Sequence, residues 1–300
     1  MNLLNSFIVR TLPLVPSRLV RVFASRYVAG ETLEDAVRTV RQLNAEGCRA
    51  TLDVLGEDVT QISETDTTVG EYRRALDAIA EHRLDSNISV KLSALGLKLD
   101  ARRCREHFNA ILEAARAHGN FVRIDMEDSP VTEETIRIFL ESRKLTDRVG
   151  LVLQAYLRRS REDARRVAAV RANVRVCKGI YVERPEIAYQ RREEIRDSFA
   201  AVVEDLFEAG CFVGIATHDE VLVTRALETI RRMGVSPDDY EFQMLLGVAG
   251  NLRRGLVSSG HKLRVYVPYG QSWRAYSLRR LKENPAIAGN VLKGILTGGR

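Results

Sequence analysis

The feature that most constrains this chain is an alternation of short apolar runs with longer amphipathic segments, repeated eight times. The short runs are rich in Val, Ile and Leu, as in buried strands, and the longer segments place apolar residues every three or four positions, as in helices. The predicted strands cover residues 50–55, 88–92, 121–125, 150–154, 174–177, 212–216, 240–245 and 263–267. Strands separated by helices pair in parallel, so this pattern predicts an α/β fold, a closed (β/α)8 barrel of the TIM type.

An open, doubly wound sheet is the alternative architecture. It would typically carry a Gly-x-Gly-x-x-Gly turn after an early strand, and this chain has none. No stretch rich in Pro, Gly and Ser separates the units, so we expect a single barrel over residues 50–300. Residues 1–49 are predicted to form N-terminal helices that pack on the barrel, one of them capped by Thr32 with Asp35 three positions later.

Composition argues against several classes of function. The net charge of +6 is interleaved with acidic residues and there is no basic stripe rich in aromatic residues, so we expect no binding to nucleic acid. The same charge allows a weak, peripheral attraction to an anionic membrane surface. No apolar run approaches the roughly 20 residues of a membrane span. The four cysteines form no Cys-x-x-Cys pair, which predicts reduced thiols, no metal site and a cytoplasmic location.

Polar residues stand at the carboxyl ends of the predicted strands. In a parallel barrel these ends meet at one face, and the active site lies there. Polar side chains next to apolar strands cost free energy unless they find partners, so their convergence predicts a functional site. The residues concerned are Asp53, Glu57, Lys91, Asp125, Glu127, Gln154, Arg175, Lys178, Thr217, His218, Asp219, Gln243 and Tyr266.

Lys91 is the most informative of these residues. Strand alternation places it on one face with Ser89 and Ser93, pointing toward the mouth of the barrel. An inward lysine either forms a Schiff base with a carbonyl substrate or holds an anionic group. Asp125 is the candidate partner, and a purely structural ion pair between the two residues is the alternative.

The end of the last predicted strand leads into a second candidate. The strand breaks at Pro268 and Gly270, and a helix follows that carries Arg279, Arg280 and Glu283. Two guanidinium groups beside one carboxylate suit a zwitterion, because the arginines can hold a carboxylate and the glutamate an ammonium. The chain has eight Arg-Arg pairs, so an ordinary solvated helix face remains the alternative.

Six motifs give the chain a recognisable identity when taken together. They occur in order between residues 51 and 285: SVKLSALG around Lys91, VLQAY around Gln154, VRVCKGIY around Arg175, ATHD from Ala216, EFQMLLG from Glu241, and RVYVPYG followed by RRLKENP. In this combination the chain resembles the proline dehydrogenases, in the monofunctional bacterial form. The resemblance implies FAD-dependent oxidation of L-proline to 1-pyrroline-5-carboxylate, with hydride transfer to flavin N5 and a membrane quinone as electron acceptor. It also implies a location that includes peripheral contact with the inner face of the cytoplasmic membrane.

The resemblance assigns substrate roles to ten residues. Arg279 and Arg280 would hold the carboxylate of proline and Glu283 its amine. Lys91 would hold the carboxylate with them, Asp125 would orient that charge network, and Glu57 would pair with a clamp arginine. The pocket around the pyrroline ring would be lined by Tyr181, Leu245, Tyr266 and Tyr276.

The resemblance assigns the cofactor to other residues. Arg175 would lie beside flavin N5, and Gln154 would bond the pyrimidine edge. The adjoining Lys178 and Gly179 would also contact FAD, and Thr217 and His218 would meet its adenosine or pyrophosphate portion. Asp219 stands where many relatives carry Asn, so its own contact with the cofactor does not follow from the resemblance.

Two other functions remain as alternatives. A Schiff-base aldolase on the same barrel would use Lys91 as its nucleophile and Asp125 as an acid. A non-catalytic basic barrel that binds RNA or an acidic partner is disfavoured by the interleaved acids.

Overall fold

The structure is a computed structural model that describes residues 21, 24–56 and 59–283, with only the backbone described for 279–283. Eight parallel strands close a barrel in sequence order, and the first strand pairs with the last. They are β1 (Arg49–Val54), β2 (Ser86–Val90), β3 (Val122–Ile124), β4 (Val149–Gln154), β5 (Asn173–Cys177), β6 (Phe212–Ala216), β7 (Tyr240–Leu245) and β8 (Leu263–Tyr269). The predicted (β/α)8 barrel is confirmed.

A helix precedes β1 and others follow the strands, and all but the last of them form the outer layer. They are α1 (Leu33–Ala45), α2 (Ile62–Glu81), α3 (Ala101–Ala117), α4 (Ser129–Arg143), α5 (Ser160–Ala168), α6 (Arg192–Glu208), α7 (Glu220–Met233), α8 (Gly250–Ser258) and α9 (Trp273–Glu283), with a short 3-10 helix at Leu92–Leu95. A hydrophobic core made from the outward side chains of the strands and the inner faces of the helices joins the two layers.

Helix α1 closes the outer layer at the seam between β8 and β1. It begins with the predicted capping box: the Thr32 hydroxyl accepts from the amide of Asp35, and the Asp35 carboxylate accepts from the amide of Thr32. Its buried face, which includes Val37, Val40 and Leu43, packs against β8 and β1. The division of the chain into an appendage of residues 1–49 and a barrel stays a prediction.

The two central candidate residues lie just beyond their strands rather than within them. The strand predicted at residues 88–92 ends at Val90, and the strand predicted at 121–125 ends at Ile124. Pairing of β2 with β3 stops at the register Val90–Ile124. Lys91 and Asp125 therefore leave the barrel wall at the same level and turn toward its mouth.

The predicted break at Pro268 is wrong, because β8 continues through Pro268 to Tyr269. Pairing with β7 has already ended at Tyr266, so on that side no ladder bond requires the amide that proline lacks. Pairing with β1 continues to Tyr269, whose carbonyl accepts from the amide of Leu55 at 2.9 Å. The carbonyl of Pro268 accepts from the amide of Ala29 at 2.9 Å, so the N-terminal segment crosses the end of β8.

The inside of the barrel is polar. Along β2 and β3 the apolar residues Ile88, Val90 and Ile124 belong to the core, whereas the intervening Ser89 and Arg123 make polar contacts. Arg123 is only 2% exposed, and its guanidinium donates to the carbonyl oxygens of β4 and β5. Burial lowers its pKa well below the ordinary arginine value. This lining supports the charged groups at the mouth above it.

None of the helices in the described ranges is long and apolar enough to cross a membrane.

Candidate active site

Lys91 lies at the centre of a charged cluster in the barrel mouth. Its Nζ is 2.9 Å from Asp53 Oδ1 and 3.5 Å from Asp125 Oδ2, so the predicted pair with Asp125 is present together with a second, closer carboxylate. The ammonium also donates to the hydroxyl of Tyr266 at 3.0 Å. Lys91 and both carboxylates are buried, which strengthens their electrostatic interactions relative to those in water.

Asp125 collects hydrogen bonds from three strands. Its Oδ1 accepts from Ser89 Oγ at 2.6 Å and from Arg175 Nη1 at 2.8 Å, and its Oδ2 accepts from the hydroxyl of Tyr266 at 2.6 Å. Burial alone would raise the pKa of Asp125, but the charges of Lys91 and Arg175, with the hydroxyl hydrogen bonds, lower it below its usual value. The carboxylate is therefore ionised at neutral pH and joins both cations.

The ring of Tyr266 lies between the two cations. Lys91 Nζ is 5.7 Å and the Arg175 guanidinium carbon is 5.3 Å from its centroid, both within cation–π range. Burial, with the nearby carboxylates, raises the pKa of Tyr266 well above its ordinary value. The phenol thus stays protonated, and its hydroxyl donates a hydrogen bond to Asp125.

Arg175 reaches this cluster from the middle of β5, where it pairs in register with Gly214. It is 7% exposed, and besides Asp125 its guanidinium contacts Ser89 Oγ at 3.3 Å and Gln243 through Nε. An arginine held on several sides presents a fixed cation to whatever occupies the space above it.

That space is a cavity of about 490 Å³ at the carboxyl ends of the strands. The volume falls within the range of ligand sites, roughly 300–1,000 Å³. Its lining includes Lys91, Asp125, Gln154, Arg175, Lys178, Gly179, Tyr181, Thr217, His218, Leu245, Tyr266 and Tyr276, all of which the sequence singles out. The structure therefore brings the described members of both proposed groups of residues, substrate and cofactor, to one cavity.

The outer end of the cavity is strongly basic. Asp219 accepts from Lys178 Nζ at 3.2 Å and, through two oxygens, from Arg196 Nε at 3.0 Å and Nη2 at 2.9 Å. The exposed Arg192 approaches the same carboxylate at 3.5 Å. Arg196 also pairs with Glu193 at 2.6 Å, so three cations face two carboxylates, and the remaining positive charge suits an anionic ligand group.

Asp219 also begins α7, where its carboxylate accepts from the amide of Val221. Burial alone would raise the pKa of Asp219, but hydrogen bonds from Arg196 and Lys178 hold it well below its usual range. A carboxyl group with a lowered pKa in the folded state stabilises the fold at pH values above its unfolded pKa of about 3.9. This stabilisation is lost as the pH falls through the folded pKa.

We therefore expect Asp219→Asn to lower the free energy of unfolding by about 2 kcal/mol at pH 7, since asparagine keeps the helix cap but loses the charge-assisted bonds. The difference from the unsubstituted protein should shrink as the pH falls below about 3.9. Urea unfolding at several pH values measures it. A difference that is constant with pH would contradict the assignment, and Asp197→Asn, at an exposed carboxylate, is the matched control.

His218 and Thr217 organise the ends of β6 and β7. The amide of Leu245 donates to His218 Nε2 at 2.8 Å, so this nitrogen is an acceptor and the neutral ring carries its proton on Nδ1. The hydroxyl of Thr217 accepts from the amide of Asp219 at 3.1 Å. Both side chains line the cavity while they fix the backbone beside it.

Gln154 and Gly179 shape the wall between β4 and β5. Gln154, at the end of β4, donates its amide to the carbonyl of Glu127 at 2.7 Å. Gly179 has φ +104°, and a Cβ there would lie 2.1 Å from the ring of Tyr156. Only glycine therefore fits at this turn, which carries Lys178 on one side and Tyr181 on the other.

Helix α9 lies over the mouth rather than on the outside of the barrel. Its Trp273 and Tyr276 form a small apolar cluster with Ala24, Val28 and Leu55, and Tyr276 also lines the cavity. Tyr181 reaches the cavity from the loop after β5.

Only the backbone of the predicted zwitterion clamp is described. Arg279, Arg280 and Glu283 belong to α9, but their side chains lie outside the described residues, as does Glu57 altogether. Positions 279, 280 and 283 follow Tyr276 by three, four and seven residues. On a helix these spacings share one face, so the backbone brings the three positions to the same side as Tyr276.

Several residues of the site had no assigned role in the sequence, and Asp53, Arg192 and Arg196 are three of them. Asp53 was recognised in the sequence as a polar residue near the end of the first strand, but not as a partner of Lys91, which it contacts at 2.9 Å. Arg192 and Arg196 lie in α6, and no sequence pattern indicated that they meet the cap of α7. Their side chains cross between elements, and such pairing cannot be deduced from local periodicity.

Comparison with known proteins shows consistent similarity. The sequence profile of the proline dehydrogenase family matches residues 36–293. Proline dehydrogenase 1 of Bacillus subtilis (strain 168) is 37% identical over 276 residues, which cover 92% of this chain and 91% of that protein. The proline dehydrogenase of Deinococcus radiodurans is 32% identical over 287 residues, covering 92% and 90% of the two chains.

A solved structure shares the same fold. The barrel superposes on proline utilization A from Bdellovibrio bacteriovorus with a TM-score of 0.79 and 22% sequence identity. The match covers 87% of this chain but only 32% of that longer protein.

Proposed function

The chain belongs to the proline dehydrogenase family and oxidises proline, and from this premise we propose that it converts L-proline into 1-pyrroline-5-carboxylate with FAD as its cofactor and a membrane quinone as the final electron acceptor. The observation that carries the proposal is the cluster of Lys91, Asp125, Arg175 and Tyr266 at the inner end of a cavity whose outer end is basic.

The residues present fit FAD. A dinucleotide needs cations for its pyrophosphate and hydrogen-bonding groups for its ring edge. The outer end offers Lys178 and Arg192 for the first requirement, and Gln154 lies in the wall for the second. Thr217 and His218 adjoin the basic end, where they would meet the adenosine or pyrophosphate portion. Gly179 lets this wall turn tightly beside the cavity.

Arg175 is the residue proposed to lie beside flavin N5. When bound, FAD supplies a two-electron acceptor that takes a hydride at this atom. A fixed cation at this point favours the electron-rich, reduced form of the cofactor by Coulombic attraction. Asp125, Ser89 and Gln243 hold the guanidinium from three sides, so its charge is already oriented before substrate binds.

Lys91 is proposed to bind the carboxylate of proline. Its ammonium is fixed by Asp53 and Asp125 and sits beside the cavity, where a third carboxylate could approach it. The α9 positions 279 and 280 would add two guanidinium groups on the same carboxylate, and Glu283 would recognise the ammonium of the zwitterion. Their place on the face of Tyr276 supports this arrangement. Tyr181, Leu245 and Tyr266 would enclose the ring.

The reaction balances without a further reactant from the protein. The carbon beside the ring nitrogen loses a hydride, the nitrogen loses a proton, and a C=N bond forms. Two electrons and two protons reach the quinone, which becomes a quinol. Contact of the protein with the membrane that dissolves this quinone is proposed as peripheral, consistent with a net charge of +6.

The Schiff-base alternative receives no support from the geometry. A nucleophilic lysine must be an uncharged amine, and Lys91 lies between two carboxylates that favour its charged form. Family membership points to oxidation instead.

Cofactor analysis and a steady-state assay test the proposal. Heat-released cofactor from the purified protein should be FAD, at about one per chain, and L-proline should reduce a soluble quinone analogue only in the presence of the protein. A preparation that is reconstituted with FAD, binds it, and still oxidises no proline would overturn the proposal.

A further inference from the structure

We propose that Gln243, held in place by Glu241, is a positioning residue that fixes the guanidinium of Arg175 toward the cavity without adding charge beside it. The inference rests on the proposed place of Arg175 beside the flavin, and it concerns Gln243 in the cavity wall and its neighbour Glu241, neither of which carries an assigned role in the reaction.

Gln243 bridges a cation and an anion. Its Oε1 accepts from Arg175 Nε, and its Nε2 donates to Glu241 Oε1 at 2.7 Å. A guanidinium can only donate and a carboxylate can only accept, so only one orientation of the amide satisfies both neighbours. The flipped amide would face its NH2 to the arginine and its oxygen to the carboxylate. Gln243 is 5% exposed, so water is poorly placed to replace either bond.

Glu241 is anchored from the opposite side. Arg264 donates to its two oxygens at 2.6 and 3.2 Å, and Arg49 approaches at 3.6 Å. Burial alone would raise the pKa of Glu241, but Arg264 and the amide of Gln243 lower it. The carboxylate thus remains ionised, and its charge is balanced beneath the site rather than at Arg175.

The space for Gln243 depends on the neighbouring strand. Gly214 on β6 pairs in register with Arg175 on one side and with Glu241 on the other. A Cβ at Gly214 would lie 2.5 Å from Gln243 Nε2. The absence of a side chain at position 214 therefore lets the amide of Gln243 lie across β6 and reach Arg175.

A neutral bridge matters because the charges of the described cluster are paired one to one. Asp53 and Asp125 match Lys91 and Arg175 in ion pairs of 2.9 and 2.8 Å. An amide adds a directional bond to Arg175 and no charge. A carboxylate in its place would give the cluster an excess negative charge next to the proposed flavin position, which would disfavour the reduced cofactor.

The test uses the FAD-loaded protein and its Gln243→Glu, Gln243→Leu and Gly214→Ala variants. We expect the midpoint potential of the bound flavin to fall in all three variants. The fall should be largest in Gln243→Glu, at about 30 mV or more, and 30 mV is a tenfold change in the equilibrium constant of a two-electron couple. Asn87→Ala is the matched control, because Asn87 makes a buried polar contact with Thr51 inside the same barrel without touching Arg175. It should lower stability and leave the potential unchanged.

A structural readout separates positioning from general damage. A crystal structure of Gln243→Leu should show the Arg175 guanidinium rotated away from its place in the unsubstituted protein while Asp125 stays in position. Unchanged potentials in Gln243→Leu and Gly214→Ala, with the guanidinium in place, would overturn the inference. If Gln243→Glu fails to fold, these two variants decide the matter. Failure of the proposed function itself would appear in the unsubstituted protein, as absence of flavin reduction by proline.

Discussion

Replacement of Asp125 by alanine is expected to lower kcat/KM for L-proline at least about 100-fold, or about 2.7 kcal/mol, which lies within the range of about 2–5 kcal/mol for truncating one partner of a buried charge pair. Asp125 is the one carboxylate among the described residues that contacts Lys91, Arg175 and Tyr266 together. Its loss leaves the guanidinium without its carboxylate partner and frees the hydroxyl of Tyr266 to reorient. Both the proposed substrate cation and the proposed flavin cation then lose their fixed positions.

Steady-state kinetics with L-proline and a quinone analogue measure this effect, and the FAD content of each preparation is determined alongside. Asp125→Asn retains the shape and should recover little activity, because the amide cannot balance two cations. Asp238→Ala removes an exposed aspartate that pairs with Lys262 far from the cavity, and should behave as the unsubstituted protein does. Activity within threefold of normal in Asp125→Ala would show that the cluster is not the reaction centre.

Lys91→Met should raise KM for L-proline by about 100-fold with a smaller effect on FAD binding. Methionine keeps most of the length and apolar character of the lysine stem but leaves Asp53 and Asp125 without their shared ammonium. The substrate carboxylate would then meet two carboxylates instead of a cation. Repulsion of this kind acts on binding of the anionic group, so it appears chiefly in KM.

Michaelis constants and inhibition constants for a carboxylate analogue that lacks the ring nitrogen measure the change. Lys98→Met, at a half-exposed lysine paired with Asp128, is the matched control and should leave both constants unchanged. An unaltered inhibition constant in Lys91→Met would mean that Lys91 only pairs with Asp53 and Asp125 and does not bind the substrate carboxylate.

The eightfold alternation of strands and helices was sufficient to predict the barrel. The outward side chains of the strands are apolar because helices cover them, as Ile88 and Val90 illustrate, and such residues are easily recognised in the sequence. The ends of elements were harder to predict. Pro268 fits within β8 because the pairing of β8 with β7 ends before it, at Tyr266. Where that pairing ends depends on contact between strands and is not visible in the local sequence.

The candidate site could be predicted as a set of residues but not as a network. Strand ends and motifs identified Lys91, Asp125 and Arg175, since position after an apolar strand is visible in a single sequence. The bridge from Arg175 through Gln243 to Glu241 is not visible there, because it joins two strands and depends on the missing side chain of Gly214. The substrate and cofactor roles of all these residues remain predictions, and those of Arg279, Arg280, Glu283 and Glu57 depend on the resemblance alone.

Anaerobic titration of the FAD-loaded protein with L-proline tests the central claim most directly. Addition of L-proline should bleach the visible flavin absorption fully at saturation, with formation of one 1-pyrroline-5-carboxylate per flavin, and a quinone analogue should restore the absorption. The same titration of Asp125→Ala should show little bleaching at concentrations that saturate the unsubstituted protein. Flavin that stays oxidised in the unsubstituted protein at saturating L-proline would contradict the account.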